Sequence, residues 1–156
     1  MEETAQEIYE YSRRGRLSEL ECVLGKAHPD SFVGYDGSTA LLMACKNGYL
    51  GVCELLVKHG ADLSKRGDDG SSALLLAACS GNVDLVKYVL SFCANDINEC
   101  NEDGFTPLDM ALHYNKVEVV RMLESHGGFV SSCSTTPEAG EMSACPSEKW
   151  GYGVFD

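Results

Sequence analysis

Basic side chains are scarce in this sequence: 12 Lys and Arg stand against 24 Asp and Glu, for a formal net charge of −12 over 156 residues. Such a surface repels nucleic acid and anionic membranes, which sets both aside as partners and leaves a basic protein surface as the easier match. Long apolar runs are missing too. No stretch approaches the roughly 18 residues a membrane span needs. The opening MEETAQEIYEYSRRGR has no basic region followed by an apolar one, and its second residue is Glu2, so neither an export signal nor N-myristoylation is expected. The cysteines show no C-x-x-C pair and no paired Cys/His spacing. Neither a metal nor a cofactor is expected, and the thiols read as reduced and structural. Together these features suggest the cytoplasm or the nucleus, and a monomer in isolation.

What the sequence does have is repetition. DGSTALLMACKNG (36–48) returns as DGSSALLLAACSG (69–81) and again as DGFTPLDMALHYN (103–115). Each copy begins with a polar turn ending in Gly, then a Thr or Ser, then a short apolar helix. A small-residue break and a second apolar helix follow: LGVCELLVKHG, VDLVKYVLSFC and VEVVRMLESHG, with apolar residues at i, i+3, i+4 and i+7. Thr39, Ser72 and Thr106 stand where an N-cap hydroxyl accepts an orphan helix N–H, and Pro107 takes the first helical position. Gly48, Gly81 and Asn115 suit a left-handed residue closing the first helix, and Gly60 and Gly127 stop the second. Cys45 aligns with Ala78 and Leu112, and Cys53 with Val86 and Val120, so these cysteines read as small buried hydrophobes.

The pattern resembles the ankyrin repeat, whose unit of about 33 residues carries G-x-T-P-L-H-x-A, a central Gly and L-L-x-x-G-A-D. The residues that carry the resemblance are Gly37, Thr39, Leu41, Ala44, Gly48, Leu55, Leu56, Gly60, Ala61 and Asp62. In the second copy they are Gly70, Leu74, Ala77, Gly81, Val89 and Ala94; in the third, Gly104, Thr106, Pro107, Leu108, Ala111, Leu123 and Gly127. RRGRLSELECVLG (13–25) fits a degenerate first unit through Gly15, Leu17, Leu20 and Val23. The resemblance implies an all-α solenoid of helix-turn-helix units with projecting β-turn or hairpin loops. The expected organisation is a capping repeat at 1–33, repeats at 34–66 and 67–100, a capping repeat at 101–129 and a tail at 130–156. Two departures stand out. The His of T-P-L-H is replaced throughout, so its hydrogen bond must be absent or supplied otherwise. Cys93 occupies the place of a helix-ending Gly, where a left-handed backbone would cost about 1–2 kcal/mol, and an extra residue in the following turn suggests a relieving bulge.

The resemblance also implies protein binding through a concave groove built from turn tips and first-helix surfaces. The residues expected there are Tyr35, Asp36, Ser38, Lys46 and Asn47 in one unit, and Asp68, Asp69, Ser71, Cys79 and Ser80 in the next. In the third they are Glu102, Asp103, Phe105, His113 and Tyr114. Recurrent carboxylates flanked by aromatic rings suit a ligand presenting Lys or Arg, although Asp before Gly is also ordinary turn chemistry. The tail is rich in Ser, Thr and Pro and then closes on KWGYGVFD, where Trp150, Tyr152 and Phe155 could dock on a partner or fold back on the repeats.

Catalytic and metal readings fail on their chemistry. ECNEDG (99–104) resembles a calcium loop, but the Glu required at the twelfth position falls on Met110 and Pro107 interrupts it. GDDG lacks the Gly-Lys-Ser/Thr of a phosphate loop. His59 and His126 suit helix C-termini, and a Cys79–His113 pair would lack an orienting group and an oxyanion site. The expectation is a non-catalytic adaptor or scaffold. An inhibitor that occludes an enzyme, or a structural subunit anchored by its tail, are the alternatives.

Overall fold

The computed structural model describes residues 2–93 and 97–130. The expectations for the tail, including Trp150, Tyr152 and Phe155, and the match at Ala94 lie outside these residues. Among the described residues eight helices follow one another: α1 (Glu2–Arg14), α2 (Leu17–Leu24), α3 (Ala40–Asn47), α4 (Leu50–Lys58), α5 (Ala73–Ser80), α6 (Val83–Phe92), α7 (Pro107–His113) and α8 (Val117–Ser125). They form pairs. In one row α1 packs on α3, α3 on α5 and α5 on α7; each partner helix packs on its own first helix, with α2 on α4 and α6 on α8. The result is an all-α solenoid. No helix among the described residues is long and apolar enough to cross a membrane.

Apart from α1, every helix is ten residues or shorter. Helices of that length are marginal alone in water, so packing and caps must hold them. The hydroxyls of Thr39 and Ser72 accept from Leu42 N and Leu75 N at 3.3 Å each. Gly48 and Gly81 close α3 and α5 at φ 78° and 77°, and Asn115 fills the equivalent place at φ 56°. Asn is the side chain that tolerates this region best. Close packing of the first-helix row rests on small residues: Ala44, Cys45, Ala77, Ala78 and Ala111 are all wholly buried.

The missing His is replaced in two ways. Leu42 and Leu75 stand in its place in α3 and α5, where they are 1% and 0% exposed and simply extend the apolar core. In α7 Asp109 stands there and completes a capping box: Asp109 N donates to Thr106 Oγ1 (3.2 Å) while Asp109 Oδ2 accepts from Thr106 N (2.9 Å). Thr106 Oγ1 also lies 3.0 Å from the Phe129 carbonyl, tying α7 to the chain beyond α8. Thr106→Ala is therefore expected to lower stability by about 1–2 kcal/mol, read as a fall in the urea midpoint, with Thr106→Ser close to wild type.

The strain expected at Cys93 is not found. Its backbone sits at φ −126°, ψ 38°, outside the left-handed region, and its N–H donates to Val89 O at 3.1 Å. The reason is that α6 runs one residue further than its counterpart α4, so Cys93 is the residue that caps the helix, whereas the aligned Gly60 follows the cap of α4. Arg66 ties the second polar turn to the residues that precede the third. Its guanidinium donates to Gly70 O (3.1 Å) and Cys100 O (3.3 Å) and pairs with the Glu99 carboxylate.

Candidate partner-binding surface

The three polar turns have one hydrogen-bond plan. In the first, Gly34 N donates to Ser38 O (2.9 Å) and Gly37 N to Gly34 O (3.0 Å); Gly67/Ser71 and Gly70/Gly67 repeat this, as do Asn101/Phe105 and Gly104/Asn101. Adjacent turns are then joined by main chain. Asp68 N donates to Asp36 O (3.0 Å) and Glu102 N to Asp69 O (3.1 Å). These bonds set the three tips in one continuous row, which turns a repeat in sequence into a surface.

The stacking sorts the expected carboxylates into two groups. Asp36 and Asp69 hold their own turns, each accepting through Oδ1 from the N–H two residues on, Ser38 at 3.2 Å and Ser71 at 2.9 Å. In the third turn Asn101 does this work instead, accepting from Asp103 N and Phe105 N. Tyr35, Asp68 and Glu102 occupy the outermost place of successive tips, and all three are exposed, Tyr35 fully. Asp68 and Glu102 lean across Gly37 and Gly70 of the preceding tips, where a Cβ would collide with them. Asp103 is also exposed.

Behind the tips, Lys46, Cys79 and His113 hold one position on α3, α5 and α7, and Asn47, Ser80 and Tyr114, the last of these the C-cap of α7, the next. Lys46 is half-buried. Burial lowers its ammonium pKa, while the nearby Asp36 and Asp69 work in the opposite direction. Burial pushes the Cys79 thiol up to about 12, which keeps it protonated and unsuited to nucleophilic work. The His113 ring meets Tyr114 edge-on at 4.8 Å. Several expected contact residues are engaged in the framework. Ser38 and Ser71 are 8% and 2% exposed and offer a partner almost no surface. Ser80 Oγ donates to Ala77 O and accepts from Asn82 N, and Asn47 Nδ2 donates to Arg13 O of the preceding pair. Phe105, which takes the place of Ser71 and Ser38, is half-buried.

One acidic surface was missed from sequence. Glu3, Gln6, Glu7, Glu10, Tyr11 and Arg14 of α1 line an open depression of about 340 Å³. The spacing of Glu3, Glu7 and Glu10 on one helical face was the available signal. Glu10 is held below the usual carboxylate range by its hydrogen bond to Arg13 at 2.8 Å.

The remaining thiols divide by burial. Cys45 and Cys53 are wholly buried with their sulfurs 3.6 Å apart, and this contact and burial push the Cys45 thiol well above its ordinary value. Cys22 and Cys100 are exposed. N-ethylmaleimide with peptide mass mapping should modify Cys22 and Cys100 in the native protein and spare Cys45 and Cys53 until urea is added. Labelling of all four at one rate would contradict this packing.

Family models for the ankyrin repeat match residues 36–68 as a single repeat and residues 62–132 as ankyrin repeats in three copies. The chain belongs to the ankyrin repeat family. Among relatives of this ankyrin-repeat chain, ankyrin repeat protein FPV031 of fowlpox virus (strain NVSL) is 34% identical over 94 residues, 58% of this chain and 28% of the viral protein. The mouse serine/threonine-protein kinase TNNI3K is 33% identical over 121 residues, 74% of this chain and 14% of the kinase. The NF-kappa-B inhibitor cactus of Drosophila melanogaster is 30% identical over 95 residues, 60% of this chain and 19% of the inhibitor. The ankyrin-repeat chain thus spans less than a third of each of these proteins. Ankyrin repeats are protein–protein interaction modules and are generally non-catalytic, and the likeness to the kinase is confined to a small part of that enzyme.

Proposed function

We propose that this chain is a non-catalytic adaptor whose concave face, formed by the turn tips and the first-helix row, binds a protein with a basic contact surface. The observation that carries the reading is the outer tip row, in which the fully exposed Tyr35 is followed by the exposed carboxylates of Asp68 and Glu102. A lysine or arginine side chain could stack on the ring while its neighbours pair with the acids. The net charge of −12 steers such a partner toward the chain.

The test exploits the division of labour among the carboxylates. Asp36 and Asp69 hold turns, so they are left alone; Asp68→Lys with Glu102→Lys reverses the outer row without removing a side-chain bond that holds a turn. A partner captured from native lysate by the full chain, then purified, should bind this variant roughly tenfold or more weakly, equivalent to about 1.4 kcal/mol or more. Wild-type binding should weaken as salt rises. Equal affinity for both proteins and indifference to salt would remove the basic-partner reading.

A second reading, that the same face blocks a partner's own working surface, is supported by the likeness to an NF-kappa-B inhibitor. Loss of the captured partner's activity or other ligands on binding would favour it over a bridging role.

A further inference from the structure

The last described helix pair has an outer face that the inner pairs do not show. Leu112 on α7 corresponds to Cys45 on α3 and Ala78 on α5, which are both 0% exposed under the helix pair that follows; Leu112 is 46% exposed. Val117 on α8 is 49% exposed and Phe129 60%. The end of a repeat stack ordinarily carries a polar outer side. Here an apolar residue stands at a position the fold otherwise buries.

We propose that residues 131–156 of this same chain cover the end face, with Trp150, Tyr152 and Phe155 as the residues that fill it. The chain leads there. Phe129 N donates to Asn98 Oδ1 at 2.9 Å, its carbonyl is 3.0 Å from Thr106 Oγ1, and Val130 packs against the core. Val130, the last described residue, is therefore held on the same helix pair that carries Leu112 and Val117. From there to Lys149 the chain has 19 residues, a reach of up to roughly 60 Å. A helix pair is only about 20 Å across, so 19 residues are long enough to cross the face, and a covalently joined segment meets it at a local concentration on the order of millimolar. Composition selects which part makes the contact. Residues 131–148 contain no Leu, Ile, Val or aromatic side chain, whereas Trp150, Tyr152, Val154 and Phe155 fall within the following seven. The inference concerns the end of the stack and stands apart from the groove reading.

Trp150 is the one tryptophan of the chain, so its fluorescence reports on this contact alone. The experiment compares acrylamide quenching of Trp150 in the full chain with that in the free peptide 131–156. It then repeats the measurement in full-length Leu112→Glu, Val117→Glu and the remote control Val33→Glu, with folding of each checked by circular dichroism. Both end-face positions are already solvent-exposed, and two variants guard against one failing to fold. The expected result is a quenching constant several-fold below that of the peptide and independent of protein concentration. It should rise to the peptide value in both end-face variants and stay unchanged in Val33→Glu. Peptide-like quenching in the wild type would overturn the proposal. So would shielding that survives both end-face variants, or shielding that vanishes on dilution while sedimentation shows a dimer, which would give the face to a second copy.

Discussion

Leu75→Ala is expected to lower the stability of the stack by about 2–5 kcal/mol, because it leaves a cavity that its surroundings can only partly fill. Leu75 is 0% exposed on α5, which packs against α3, α7 and α6 and so has neighbours on three sides. Domains of this size hold only about 5–15 kcal/mol in all, so the loss is a large part of the total. The measurement is the urea midpoint. In a repeat stack the loss should reach beyond the mutated pair, because each pair is stabilised mainly by its neighbours. Hydrogen exchange should therefore speed up in α3 and α7 as well as in α5. A change under about 1 kcal/mol, which only a substitution away from the packed interior would give, would mean that α5 is not the buried centre described above.

Gly37→Ala comes next in size. Gly37 has φ 72°, and a Cβ there would collide with Asp68 Oδ1 and lie 2.7 Å from Asp68 N, the group that donates to Asp36 O across the tips. A side chain could swing aside; the backbone amide cannot do so without breaking the bond between tips. The left-handed backbone alone costs about 1–2 kcal/mol for Ala, and loss of the bond adds about another 1 kcal/mol, so a fall of about 2–3 kcal/mol is expected. Gly127→Ala separates the two contributions, since Gly127 has φ 90° but nothing within 4 Å of a new Cβ. It should show the backbone cost alone, about 1–2 kcal/mol. Equal losses at the two positions in thermal or urea unfolding would mean that the contact between tips contributes nothing.

These two cases also show what could be read from sequence and what could not. The helix caps, the left-handed Asn115 and the glycine turns were legible because each depends on a few adjacent residues. The replacement of the family's His was legible as a fact, but its consequence was not. Whether Leu75 is buried depends on what the neighbouring helices bring, whereas the Asp109 capping box is local to α7 and its Thr-x-x-Asp spacing went unread. Cys93 was misread because the alignment assumed that α6 stops where α4 does, and helix length responds to packing rather than to the count of residues between glycines. Among the candidate surface residues, sequence placed Ser38 and Tyr35 in the same turn without saying which way each faces. Ser38 lies immediately before the extended N-cap Thr39 and is buried at the base of the turn, whereas Tyr35 is fully exposed at its tip. The split between turn-holding Asp36 and Asp69 and the outer Asp68 and Glu102 appears only once the tips are stacked. The exposure of Leu112, conversely, follows from its lying in the last described helix pair, which an alignment of equivalent positions hides.

The central claim is that the tip row and the first-helix row, rather than the second helices, meet the partner. Hydrogen exchange of the full chain, alone and with a captured and purified partner, tests it most directly. The account predicts slowed exchange in 34–38, 67–71 and 101–105 together with the C-terminal turns of α3, α5 and α7. Slowed exchange confined to α4, α6 and α8, with the tips unchanged, would contradict it.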